Sequence, residues 1–281
     1  LSIAELRPIL GFGVRFQAVD LFGLLRDEGF NTMTAALGGL GTLGLWSLSG
    51  RVLSPATLVF ETLRRVSYPG MARLRDLGDD PRALVARMLA LTCVGGSLVL
   101  VPLAASAHPL MNVAFGHRWE PGATVVALGA GSLLLSGPLS VAGAGFLFAE
   151  GHAGEALRVV MAHTVIGLVC AAALLPTVGI EGLGIALVVM AVSDLLMVGA
   201  AFVRRLPGIL PIRILWRPIA VSLVAIAAGA VAAGLIANEL VALAASASIA
   251  FAVTLAGHWL TNRATLTGLA MTTRRSLRPD S

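Results

Sequence analysis

The sequence predicts an all-α fold, a polytopic bundle of about eight transmembrane helices, and three observations carry that prediction. Hydrophobic residues make up 57% of the chain and charged residues only 12%, with a mean hydropathy of +0.89, whereas an average soluble domain is about 25% charged. Apolar runs recur at the length of roughly 20 residues that an α-helix needs to cross the hydrocarbon core. The charges that remain stand mostly between those runs and are strongly biased to alternate connections.

The first span, about 9–31, is apolar along most of its length yet carries Arg15, Asp20, Arg26, Asp27 and Glu28. A charge at the bilayer centre costs about 2.5–3.5 kcal/mol on insertion scales, so such residues face a bundle interior or a wet cavity. At about 100° per residue, Arg15 and Arg26 fall within roughly 20° of each other, with Asp20 and Asp27 on an adjoining stripe. The segment reads as the wall of a polar chamber. Two other readings stay open: Arg15 pairs with Asp20, and Arg26 snorkels to the outer surface.

The second span, about 38–63, contains Arg51 and Pro55. The stretch Arg73 to Arg87 reads as a short amphipathic connector. Asp80-Pro81, a capping acid before a proline, starts the third span at about 84–106, and Glu120-Pro121 does the same for the fourth at about 123–149. Pro55, Pro102 and Pro138 are expected to bend or break their helices. Around Pro138 the run GAGSLLLSGPLSVAGAG is rich in small residues, which favours close helix packing or local unwinding. The fifth span, about 156–175, holds His163, expected to be satisfied by a neighbouring helix; the sixth, about 183–203, holds Asp194. The last two, about 217–237 and 241–260, have few polar residues beyond Ser and Thr and are expected to pack at the periphery or close a lipid-facing groove, ahead of a tail over 261–281.

All 20 basic residues are arginine. Sixteen fall on one side of this eight-span scheme, in the segments around Arg7, Arg64 to Arg87, Arg158, Arg204 to Arg217 and Arg263 to Arg278; Arg118 stands alone on the other. The positive-inside rule then puts both ends of the chain in the cytoplasm. Arginines explained by topology, without an aromatic-rich binding motif, argue against nucleic acid as a partner.

No connection is long enough for a soluble catalytic domain, and no catalytic, metal-binding or cofactor-binding motif stands in the chain. His108 and His117 sit in a connection without partners at ligand spacing, and Cys93 and Cys170 lie far apart inside apolar runs. The expectation is a non-enzyme without cofactor. Arg15, Arg26 and Arg51 are the candidate substrate-binding residues, because guanidinium groups bind phosphate through paired, charge-assisted hydrogen bonds. Asp20, Asp27 and Asp194 are the candidate ion-coupling residues, since a carboxylate inside a membrane is suited to exchange a proton or bind a cation.

The run from Leu37 to Leu74 resembles a segment of bacterial polysaccharide and lipopolysaccharide flippases. The matching positions are Leu43, Gly44, Trp46, Leu48, Arg51, Pro55, Tyr68, Pro69, Arg73 and Leu74. Phe115-Gly-His-Arg-Trp119-Glu-Pro121 is similar to the family's Gly-x-x-Trp-x-Pro start of a span, and Pro176 to Gly182 is similar to its Pro-x-x-Gly-Ile-x-Gly turn. One departure is that many relatives carry an Asp nearer the end of the first span, where Gly29 and Phe30 stand here.

The resemblance implies a transporter of the multidrug, oligosaccharidyl-lipid and polysaccharide exporter superfamily, often built from 14 spans, of which these eight would be the C-terminal part. It implies, as substrate, an oligosaccharide on undecaprenyl diphosphate, moved by alternating access across the bacterial inner membrane for surface polysaccharide biosynthesis. Its partners would be membrane lipids and an N-terminal half that completes the chamber. Two other functions remain open: an ion-coupled exporter of drugs or small molecules on the same architecture, and an integral membrane polysaccharide polymerase or ligase.

Overall fold

The computed structural model describes residues 3–77, 80–263, 265 and 267, and among these every regular element is a helix. Most of the expected tail, including Arg274, Arg275 and Arg278, lies outside the described residues, as do the side chains of Arg7, Leu74 and Arg75. Two long helices open the chain, α1 (Ile3–Met33) and α2 (Gly39–Asp76), joined by a π-helical turn at Thr34–Gly38. Then follow α3 (Arg82–Ala105), the short α4 (Ala107–Phe115), α5 (Gly122–Leu139), a second π turn (Ser140–Ala144) and α6 (Gly145–Ala149). The chain ends in α7 (Ala153–Val178), α8 (Glu181–Arg205), α9 (Pro211–Gly234) and α10 (Glu239–Thr261).

Six helical segments are long and apolar enough to cross a membrane: α3, the continuous α5–α6 unit, α7, α8, α9 and α10. They coincide with the last six expected spans. Helices α1 and α2 have 31 and 38 residues, about 46 and 57 Å at ~1.5 Å per residue, so they have the length to cross but a more charged composition.

Several expectations about connections are corrected. No separate connector spans Arg73 to Arg87: α2 runs on through Asp76, and α3 starts at Arg82. Pro55 does not break α2, because the helix continues through both it and Pro69. Pro102 does mark an end, since α3 stops three residues later at Ala105, and α4 follows after Ser106 where a plain connection was expected. After Pro138 the chain forms a π turn rather than unwinding. The capping role of Asp80 is present, its Oδ1 accepting the Arg82 backbone N–H at 3.0 Å; Glu120 makes no side-chain cap.

The bundle is built around α3, α5 and α8, with α7 against α8 and the α9–α10 pair against α3. Helix α1 lies on α7, while α2 lies on α5 and α6. The two opening helices stand apart and meet through side chains. Phe16 and Tyr68 close on Phe148 of α6, with Phe16–Phe148 centroids 4.8 Å apart. Near the π turn, Trp46 stacks on Phe30 at 5.3 Å and donates its indole N–H to Asn31 Oδ1 at 3.2 Å.

Both resembling turn motifs have a steric basis. Gly116 adopts φ +90°, ending α4 before the 3-10 turn His117–Trp119 and the start of α5. Gly179 adopts φ +68° between α7 and α8, and a Cβ on Gly182 would lie 2.8 Å from the Leu174 carbonyl carbon. Left-handed backbone favours glycine at the first kind of position, and close backbone approach favours it at the second.

A candidate anion site and an intramembrane ion-pair network

Two ends of the bundle can be told apart by the contacts between connections. At one, Glu155 of α7 is held by Arg204 Nη2 at 2.9 Å and Arg205 Nε at 3.3 Å, and is only 8% exposed at its side chain. At the other, Asn112 Nδ2 donates to Glu239 Oε1 at 3.3 Å, and His117 approaches the same carboxylate at 3.6 Å.

Arg15 sits at the Glu155 end, its guanidinium against Gly154. A cavity of about 460 Å³ opens there, lined by Arg15, His152, Glu155, Arg158 and Arg205 together with Gly151, Gly154 and Leu157. Three different helices supply its arginines: α1, α7 and α8. Three guanidinium groups against one carboxylate leave a surplus of two positive charges on the lining. His152 precedes α7 and its Nδ1 is buried without a hydrogen-bond partner among the described residues. A buried unpaired polar atom is costly unless a ligand or water satisfies it. The cavity therefore has the charge and the unused hydrogen-bonding capacity to hold an anion.

Arg51 lines a second cavity, of about 520 Å³, with Gly44, Ser47, Leu48, Ala114, Phe115 and Trp119. That lining belongs to the Glu239 end, and a Cβ on Gly44 would stand 3.7 Å from the Trp119 ring. The three candidate arginines thus occupy three levels of the molecule, Arg15 at one end, Arg51 towards the other and Arg26 between.

At the middle level the charges are paired. Arg26 bridges to Asp27 at 2.8 Å, and its Nη1 lies 3.5 Å from His163 Nε2 on α7. His163 Nδ1 in turn meets Asp194 Oδ1 of α8 at 2.7 Å. These four residues form one chain across three helices, with the His163 and Asp194 side chains only 12% and 15% exposed. Asp20 does not pair with Arg15: it meets Arg64 of α2 at 3.5 Å, and Arg64 also holds Glu61 at 2.9 Å. Arg26 faces α7 rather than reaching for the surface.

Three polar residues of the structure went unread as site residues in the sequence. His152 and Glu155 lie in the run Glu150-Gly-His-Ala-Gly-Glu155, between the fourth and fifth expected spans, where a cluster of polar and small residues opening a helix is the available signal. His258, fully buried in α10, meets Ser97 Oγ of α3 at 2.7 Å and Asn262 Nδ2 at 3.2 Å. It ties the last helix into the bundle, so α10 is more than a peripheral element.

A family model described as polysaccharide biosynthesis protein matches residues 1–124. The match supports a polysaccharide flippase family, in agreement with the resemblance seen between Leu43 and Leu74. The comparisons with curated proteins and with solved structures returned no match. A polytopic helix bundle matching this family fits a transporter-type protein with a role in polysaccharide biosynthesis or transport.

Proposed function

We propose that the chain is part of a flippase that carries a lipid-linked oligosaccharide, with a diphosphate head group, across the bacterial cytoplasmic membrane. The observation that supports it best is the Arg15 cavity. A diphosphate diester carries about two negative charges, matching the surplus of two on the lining. The position also suits the task, because the cavity lies at the arginine-rich end, the cytoplasmic end by the positive-inside rule. Arg15 is the natural first contact: it makes no ion pair among the described residues, whereas Arg205 is already engaged with Glu155. Arg26 and Arg51, at successive levels along α1 and α2, would meet the head group later in an alternating-access cycle.

The test is leaflet assignment in cells lacking the gene. Completed lipid-linked repeat units are expected to accumulate on the cytoplasmic face, with export restored by the wild-type gene. Arg15→Ala is expected to restore about a tenth of that export or less, since a charge-assisted hydrogen bond contributes about 1.5–3 kcal/mol. Normal delivery of the glycan to the outer face in the deletion strain would overturn the flippase reading.

A further inference from the structure

The network at the middle of α1 has a property that follows from hydrogen-bond bookkeeping. A neutral imidazole has one N–H and one lone pair. Asp194 is an acceptor when ionised, so the 2.7 Å contact assigns the hydrogen to His163 Nδ1. Nε2 is then left with its lone pair, and the group facing it is a donor, Arg26 Nη1 at 3.5 Å. A proton and Arg26 therefore compete for the same lone pair.

Charge counting points the same way. With His163 neutral, Arg26 (+1), Asp27 (−1) and Asp194 (−1) sum to −1, and one added proton brings the network to zero. Of the other charges on the helices packed around it, Asp20 of α1 is engaged with Arg64 of α2, which also holds Glu61, while Glu155 and Arg158 of α7 and Arg204 and Arg205 of α8 stand at the far end of their helices. Helices α5 and α6 and both π turns contain no charged residue, Glu28 of α1 is exposed, and Arg213 and Arg217 lie in the first two turns of α9, beside the Arg205 end of α8.

We propose that His163 is a proton-binding site that latches α1 to α7: a proton taken from water onto Nε2 displaces Arg26, which then pairs with Asp27 alone. Protonated His163 keeps Asp194 as its ion-pair partner, and its new N–H points at the guanidinium N–H groups, replacing attraction by like-charge repulsion. Loss of the proton restores the lone pair and re-engages Arg26. Only an N–H bond forms and breaks. The site suits a proton better than a metal cation, because among the described residues no third His, Cys, Asp or Glu joins His163 and Asp194 in a metal-binding group, and Arg26 repels a second cation. The use of this latch rests on the transporter reading, to which it adds protons as the coupling ion. Arg15 lies eleven residues earlier on the same helix, so release of α1 at Arg26 moves a wall of the anion cavity.

The test uses the full 281-residue chain in lipid nanodiscs. Spin labels are placed at the exposed positions Leu24 of α1 and Val165 of α7, as Leu24→Cys and Val165→Cys in a Cys93→Ala, Cys170→Ala background. Between about pH 8 and about pH 5, the range in which histidine changes charge, the distance distribution is expected to shift by about 2 Å, the scale of helix shifts in switching proteins. His163→Gln can donate to Asp194 and accept from Arg26 but cannot take up a proton, so it is expected to hold the pH 8 distribution throughout.

An unchanged wild-type distribution, or a His163→Gln chain that follows the wild type, overturns the proposal. Nitrogen NMR of the histidines in the chain without these substitutions gives a second measurement that does not depend on any variant folding. His163 Nε2 must gain its proton within the same pH range, and failure to do so overturns the site. A pH-dependent latch found together with normal glycan export in the deletion strain would remove the flippase reading and leave the proton site standing.

Discussion

At the scale of single residues, the contact of Ser67 with Gly145 shows how closely α2 approaches α6. The Ser67 hydroxyl donates to Val141 O at 2.6 Å, inside the second π turn. A Cβ on Gly145 would collide with that same hydroxyl oxygen and stand 3.1 Å from the Ser67 Cβ. Ser67→Ala is expected to cost about 1–2 kcal/mol, as the buried Val141 carbonyl loses its donor. Gly145→Ala is expected to cost about 1–3 kcal/mol, because the added methyl expels the hydroxyl from its site. Both substitutions break one interaction, so the double variant should lose less than the sum of the two. Equilibrium unfolding in mixed micelles checks this, and strict additivity would mean that Gly145 and Ser67 act independently. The sequence showed the small-residue run around Pro138 and the close packing it favours. It could not show which residue fills each gap, because the partner stands some seventy positions away on α2.

At the scale of elements, this contact is one rung of a ladder. Ser49, Leu53, Phe60 and Ser67 of α2 meet Gly122, Gly129, Gly137 and Gly145 in that order. The last three α2 residues are seven apart and their glycine partners eight apart. Phe60 is the central rung, its ring in a slot where Cβ atoms on Gly137 and Gly96 would each come to 2.7 Å. Phe60→Ala is expected to cost about 3 kcal/mol, the low end for deleting a buried Phe, because lipid tails are as apolar as the slot. A loss under about 1 kcal/mol in the same unfolding assay would mean that the slot collapses and α2 is held elsewhere. Helix existence was legible in hydropathy because six helices are apolar enough to declare themselves. The full extent of α2 was not: its last turns carry Arg64, Arg65, Arg73 and Asp76, a composition that reads as a connector when only burial and periodicity are weighed. The pairing of in-span charges was likewise hidden, since Asp20 meets Arg64 and His163 meets Asp194 across helices, whereas helical angles place residues only on their own helix.

At the scale of the whole molecule, the open question is whether α1 and α2 cross the membrane alongside the six more apolar segments. Their packing argues that they do. If α1 crosses, the Thr34–Gly38 turn must lie at the same end as the connection between α4 and α5; if it does not, that turn stays with the arginine-rich end. Gly44 and Trp119 line the same cavity, and Trp46 is fixed to Asn31 and Phe30 of α1, which draws the α1–α2 turn to the Trp119 end. At the opposite extreme of the same two helices, Phe16 and Tyr68 share the Phe148 ring, and Arg15 lies beside Gly154. The pair therefore runs the depth of the bundle. Crossing also requires that the exposed charges of α1 and α2 face water or protein, since each left in lipid costs about 2.5–3.5 kcal/mol; the Arg15 and Arg51 cavities are such places. Single cysteines read this directly in cells, in a background without Cys93 and Cys170. Leu40→Cys, 81% exposed just after the turn, and His117→Cys are both expected to react with a membrane-impermeant maleimide from outside, while Asp80→Cys reacts only after the cells are opened. Labelling of Leu40→Cys only in opened cells, with His117→Cys still reactive from outside, would place α1 and α2 on the cytoplasmic face and reduce the bundle to six spans.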